Sequence, residues 1–175
     1  QVTKASHMAW TEGAVNYIKE NCPEIQLLND EYPNGTSDDT YEGAYNAAKE
    51  LLTKYPEIKL FRTCSSLEPT GVAKAIEELG LQGQVKIVGT GTPNDLRGLV
   101  EDGTMSYICT WDPAAACYAM LTLAQKILSG EPIEDGVDLK AEGWNEMHFF
   151  DEDQTALAGQ GWLVIDKNNV NDYDF

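Results

Sequence analysis

The sequence predicts an α/β fold built on a doubly wound parallel sheet. Strand-like and helix-like segments alternate along most of the chain, which is typical of this class. Three of the helices share a pattern, because each begins with a proline shortly after a short apolar strand and is followed by a glycine. The proline and glycine pairs are Pro69 with Gly80, Pro93 with Gly103, and Pro113 with Gly130. The strands before them are β-branched or aromatic, as buried parallel strands are.

The elements can be assigned in order from these signals. Apolar residues at helical spacing predict a first helix over residues 9 to 20, and EIQLL at 24 to 28 predicts a strand. A second helix begins at Tyr41, and its candidate caps are Ser37, Asp38 and Asp39. Strands at 58–62, 85–89 and 105–110 then precede the three proline-led helices.

The pattern changes after Gly130. Residues 131–143 are acidic and contain glycine and proline, so they predict a loop. A strand is predicted within 144–150, a polar loop over 151–160, and a short strand at 162–165. The tail is polar with two aromatic residues.

Composition excludes several classes of function. The 175 residues carry 12 Lys and Arg against 29 Asp and Glu, a net charge of −17, which argues against nucleic-acid binding and against anionic membranes. Hydrophobic residues make up 42%, enough for a packed core, and no run of about 18 apolar residues predicts a membrane span. The start has no signal-peptide pattern, so we expect a chain processed or cut from something longer.

The four cysteines do not follow the spacing of a zinc site. They are Cys22, Cys64, Cys109 and Cys117. Free thiols are the simpler interpretation, and one or two disulfides stay possible. No metal and no cofactor is predicted.

The candidate binding residues lie where strands lead into helices, because parallel α/β sheets bind ligands at the carboxyl ends of their strands. These segments carry hydroxyls, a carboxylate, an imidazole and an indole, which suits a polyhydroxylated small molecule. The candidates are Ser6, His7, Thr63, Cys64, Ser65, Thr92, Trp111 and Asp112. For Thr92, Ser65 and Asp112 the competing interpretation is an ordinary helix cap.

No enzymatic activity is predicted. Cys64 with His7 would make a thiol–imidazole pair, and Ser65, His7 and Asp112 would make a serine triad. No local motif, such as a nucleophile elbow, supports either arrangement.

Two stretches carry a family resemblance. The first is IVGTGTPNDLRGLVEDGTMSYICTWDPAAACYAM, and the second is the ending VIDKNNVNDYDF. Together they resemble type I periplasmic solute-binding proteins of ABC transporters, especially the subgroup of rhamnose-binding proteins and the autoinducer receptor. The resemblance extends over nearly the whole chain and matches the C-terminal portion of the family.

The resemblance implies two lobes with a ligand in the cleft between them. Residues 1–110 would form the C-terminal lobe, 111–130 a crossover and a helix belonging to the N-terminal lobe, and 131–175 the return segment and tail. The lobe is then incomplete, because the N-terminal lobe and a central strand before Gln1 are not in this sequence. The implied partners are the missing N-terminal fragment and an ABC permease, and the implied location is periplasmic or cell-surface, with a signal and a lipoprotein anchor.

The ligand implied by the resemblance is a sugar or another polyol. The autoinducer receptor's polar pairs map to Ser6 and His7, and to Thr63 and Ser65 around Cys64, and neither pair is kept. Asp112 matches the family's Trp-Asp motif. The alternatives are an autoinducer-type receptor, the effector domain of a sugar-responsive repressor, and a stand-alone interaction domain.

Overall fold

The computed structural model describes residues 3–29, 32–150 and 152–175, which form two compact units. The first unit is drawn from the chain up to residue 109 and from 165–174, and the second from 110–164 and residue 175. The helices are α1 (Ala5–Asn21), α2 (Tyr41–Lys54), α3 (Glu68–Glu78), α4 (Pro93–Glu101) and α5 (Pro113–Leu128). The strands are β1 (Leu60–Thr63), β2 (Lys86–Gly89), β3 (Met105–Thr110), β4 (His148–Phe149), β5 (Leu157–Ala158) and β6 (Leu163–Ile165).

The main sheet has the strand order β1-β2-β3-β6. The β1–β2 and β2–β3 pairs are parallel, with Thr63 opposite Gly89 and Gly89 opposite Ile108. Ile87 of β2 and Ile108 of β3 are fully buried, as are Ile76 of α3 and Leu96 of α4. The predicted α/β class with a parallel sheet is therefore confirmed.

The proline-led helices begin and end as the sequence predicts. Prolines occupy the first turns of α3, α4 and α5, where a missing N–H leaves no hydrogen bond unmade. Gly80, Gly103 and Gly130 follow the three helices with φ of +67°, +79° and +72°. This left-handed conformation suits glycine and closes each helix.

Some predicted elements are wrong. Helix α1 begins at Ala5, so Ser6 and His7 lie in its first turn and not in a segment before it. Residues 24–28 form no strand, because a strand needs a hydrogen-bonded neighbour and the described residues provide none beside them.

Two further corrections concern local structure. The cap of α2 is Thr40, whose hydroxyl accepts from the Gly43 amide, and not a residue of 37–39. The stretch predicted as a loop at 151–160 contains β5, which pairs with β4 in an antiparallel hairpin. Residue 151 itself lies outside the described residues.

The second unit has its own small core. Ala119 of α5 packs with Leu139 and Met147, and Val137, Trp144 and other partly buried residues surround them. The rest of α5 is apolar and largely exposed. Its exposed large side chains are Tyr118, Met120, Leu121, Ile127 and Leu128. Within the described ranges, no helix combines the length and apolarity that crossing a membrane requires.

Candidate functional site

The end of β1 and the loop that follows it contain three of the predicted binding residues. Thr63 is buried at 5% exposure, and its Oγ1 has no hydrogen-bond partner among the described residues. A Cβ on Gly89 would lie 1.9 Å from that Oγ1, so Thr63 fills the space that glycine leaves on β2. The side chain of Thr63 thus packs against the neighbouring strand, while Cys64 and Ser65 continue into the loop.

Glu68 holds this loop in place. Its Oε2 accepts from the backbone amides of Cys64 at 2.7 Å and Ser65 at 3.0 Å. Its Oε1 accepts from the hydroxyl of Ser37 at 2.6 Å. Because Glu68 is the first residue of α3, the start of the helix fixes both the loop after β1 and the turn before α2.

Asp39 connects the same loop to the start of the chain. The Ser65 hydroxyl donates to Asp39 Oδ1, and the Lys4 ammonium donates to Oδ2. Ser65 is buried at 6% exposure. The hydrogen bonds from Lys4 and then Ser65 lower the pKa of Asp39, so this carboxylate is ionised at neutral pH.

Cys64 is held by polar groups from α1 and β1. Its Sγ lies 2.9 Å from Nη1 of Arg62 and 3.3 Å from Oγ1 of Thr11, and the thiol also contacts the main-chain oxygen of His7 at 3.8 Å. Thr11 in turn donates to the His7 carbonyl at 2.7 Å. The strand-end thiol is therefore attached to the first turns of α1.

His7 and Ser6 differ in burial although they are adjacent. His7 is buried at 8% exposure and stacks on Trp10, with ring centroids 5.6 Å apart. Burial is the largest cause lowering the pKa of His7, so the neutral imidazole is favoured. Ser6 is exposed.

Thr92 caps a helix, which was the competing interpretation of this residue. Its Oγ1 accepts from the Asp95 amide and donates to Asp95 Oδ2 at 2.7 Å. In the same helix Arg97 donates to the carbonyl of Tyr173 at 2.8 Å. The TPNDLR stretch and the YDF tail, which carry the sequence resemblance, thus contact each other in the fold.

Trp111 and Asp112 belong to the second unit. Asp112 caps α5, because its Oδ1 accepts from the amides of Ala114 at 2.7 Å and Ala115 at 3.2 Å. Its Oδ2 has no protein partner within residues 3–29, 32–150 and 152–175. Trp111 makes an edge-to-face contact with Trp162, with centroids 5.7 Å apart. Asp112 is half-buried, so it combines a cap with an available oxygen.

The cysteines and the potential metal ligands were the other candidates for chemistry at this site. All four cysteines are free thiols. Across the part of the chain that the structure describes, no group of three His, Cys, Asp or Glu is arranged to hold a metal ion.

The sequence did not identify Lys4, Asp39 or Glu68 as part of this network. The sequence predicts Asp39 only as a candidate helix cap and assigns no role to Lys4 or Glu68. A signal for Glu68 is its position three residues after Ser65, where a carboxylate can reach back to loop amides. No local signal could have joined Asp39 to Ser65, which are 26 residues apart.

The chain resembles known binding proteins. Residues 1–132 match the model of the periplasmic binding protein domain. A sugar ABC transporter protein from Actinomyces odontolyticus superposes with a TM-score of 0.76 at 23% identity. The match covers 100% of this chain and 55% of that protein.

Two further structures have the same fold. LsrB from Clostridium saccharobutylicum, solved with AI-2, has a TM-score of 0.72 at 23% identity, covering 95% of this chain and 54% of its own. A third structure is a carbohydrate transporter solute-binding protein from Agrobacterium radiobacter, solved with D-arabinose. It has a TM-score of 0.67 at 21% identity, and the match covers 90% of this chain and 45% of that protein. The chain therefore spans about half the length of these proteins.

Proposed function

Because the chain belongs to the periplasmic binding protein domain family, we propose that it is part of an extracytoplasmic protein that binds a sugar or another polyol. The bound sugar would be delivered to an ABC permease for uptake. Binding proteins of this kind perform no bond chemistry, so we propose no enzymatic activity. The neighbours solved with D-arabinose and AI-2 support a small polar ligand.

The observation that carries this proposal is the polar loop after β1. It lies at the carboxyl end of a parallel strand, where α/β proteins bind ligands. Glu68 fixes its backbone amides, Asp39 holds the Ser65 hydroxyl, and Arg62 contacts the Cys64 thiol, so the loop is preorganised. A preorganised set of hydroxyl-bonding groups suits a polyol better than a phosphate, which would need concentrated positive charge.

The proposed contact residues are those that the sequence predicted. They are Ser6, His7, Thr63, Cys64, Ser65, Thr92, Trp111 and Asp112. Asp112 is the strongest of them, because its Oδ1 is occupied by the helix and its Oδ2 is available to a ligand hydroxyl.

The whole protein is proposed to contain a second lobe, as its longer neighbours suggest. In that arrangement residues 1–110 form one lobe. Residues 111–130, which include helix α5, form a crossover and a helix that belong to the other lobe. The exposed apolar side chains of α5 support this, because apolar patches of that kind are usually covered by a partner surface. A signal and a lipoprotein anchor would belong to the same longer polypeptide.

One alternative ligand is favoured by a specific observation. The autoinducer-bound LsrB is among the similar structures, so AI-2 belongs in any ligand panel with D-arabinose and L-rhamnose. The effector domain of a repressor would require a DNA-binding segment, and the net charge of −17 opposes it.

Calorimetric titration of the full-length protein with this panel tests the proposal. We expect one compound to bind, and Asp112→Asn to weaken that binding by about 1.5–3 kcal/mol, because a hydrogen bond to a charged group is lost. Asparagine keeps the helix cap, so folding is preserved. The matched control is Asp102→Asn, since Asp102 lies before β3 and caps a turn by accepting from the Thr104 amide.

The results separate two claims. If Asp112→Asn and the wild type bind with equal affinity, Asp112 is not part of the site, but the proposed function stands. No binding of any panel compound by the wild type would contradict the proposed function itself.

A further inference from the structure

The turn before α2 places a carboxylate in an unusual backbone conformation. Asp38 and Asp39 have φ of +50° and +60°, a left-handed region that residues other than glycine seldom adopt. Such conformations persist where the surrounding structure holds them, and they concentrate at functional sites. Asp38 is exposed, whereas Asp39 is partly buried.

Asp39 is held by two other segments and remains accessible. Ser65, in the loop after β1, donates to Oδ1, and Lys4, just before α1, donates to Oδ2. The Asp39 side chain is still 28% exposed. An ionised carboxylate offers about four acceptor positions, so two bonds leave room for ligand hydroxyls.

The two acidic residues near Asp39 are Glu68 and Asp38, and they differ from Asp39 in their hydrogen bonds and exposure. Glu68 already accepts three hydrogen bonds from Ser37, Cys64 and Ser65. Asp38 is exposed and has no partner among the described residues. Asp39 therefore combines fixed orientation with remaining acceptor capacity, directly beside a residue of the proposed site.

We propose that Asp39 is a ligand-binding residue that accepts hydrogen bonds from hydroxyl groups of a neutral polyol. Ser65 fixes the orientation of the carboxylate, and Lys4 balances its charge. The Ser65 proton is committed to Asp39, and the Ser65 oxygen also accepts from the Leu67 amide at 3.4 Å, which leaves one acceptor position on Ser65 for the ligand. Like-charge repulsion disfavours sugar acids at this position. This assignment rests on the proposed function and adds to it a residue and a preference for uncharged sugars.

The test is calorimetric titration of the full-length protein with D-arabinose, L-rhamnose and AI-2. Asp39→Asn keeps the size of the side chain and tolerates the left-handed conformation, but removes the charge. We expect Asp39→Asn to raise the Kd of the compound that binds by about tenfold or more. The matched control is Asp38→Asn in the same turn, which should leave the Kd unchanged.

A second variant covers the case in which Asp39→Asn does not fold, as judged by circular dichroism. Lys4 is 44% exposed, so Lys4→Met should fold, and it should raise the Kd because the carboxylate loses a fixing partner. A purely structural role for Asp39 would lower the melting temperature of Asp39→Asn while its Kd stays that of the wild type, and that result would overturn the proposal. If the wild type binds no panel compound, the proposed function fails, and this assignment fails with it.

Discussion

At the residue scale, the loop after β1 depends on one carboxylate. Glu68 accepts from the amides of Cys64 and Ser65 and from the hydroxyl of Ser37. Buried amides that lose their acceptor cost more free energy than a bond between exposed groups contributes. Glu68 therefore stabilises the conformation of the loop after β1.

Replacing Glu68 should be costly. We expect Glu68→Ala to lower the free energy of unfolding by about 1–3 kcal/mol, because at least one loop amide is left without an acceptor. The control is Glu77→Ala in the same helix, since Glu77 forms an exposed pair with Lys74 and should change stability by less than about 1 kcal/mol. Urea unfolding measures both, and equal losses in the two variants would contradict this role of Glu68.

Sequence reasoning at this scale found the residue types but not their partners. Ser65 and Cys64 were predicted from their place after a strand, and the structure puts them in the loop. The contacts with Asp39 and Thr11 depend on tertiary packing between segments far apart in sequence, whereas Arg62 lies only two residues before Cys64. Local patterns carry no information on such pairs.

At the element scale, the predictions succeeded where local chemistry decides the structure. The prolines and glycines at the ends of α3, α4 and α5 act within one turn, so their effect is visible in the sequence. The strand predicted at 24–28 failed because a strand depends on its neighbour, and apolar composition alone does not supply one.

A titratable contact joins two elements of the second unit. His148 of β4 lies 3.0 Å from Asp135, whose other oxygen accepts from the Phe149 amide at 2.9 Å. The Asp135 carboxylate raises the pKa of His148, and the hydrogen bond from His148 is the largest cause lowering the pKa of Asp135. Each residue thus favours the charged form of the other.

The pair should make stability depend on pH. The stabilisation that protonated His148 provides is complete below its ordinary pKa of 6.5. It is lost as the pH rises through the raised pKa of His148. The contribution from Asp135 is present above its ordinary pKa of 3.8 and is lost as pH falls through the lowered pKa. We expect His148→Ala to lower the melting temperature more at pH 5.5 than at pH 8.5. The same decrease at both pH values would show that the ion pair does not contribute.

At the scale of the whole molecule, the chain spans about half the length of the structures that share its fold. The chain covers 55%, 54% and 45% of three structures with its fold. The apolar side chains exposed on α5 support the further lobe that we propose. The net charge of −17 disfavours an anionic ligand.

The measurement that tests the central claim most directly is native mass spectrometry of the full-length protein with D-arabinose, L-rhamnose and AI-2 added in turn. We expect one compound to be retained as a single adduct per protein molecule and to be released when the protein is denatured. A folded protein that retains none of the three, and whose melting temperature none of them raises, would contradict the account.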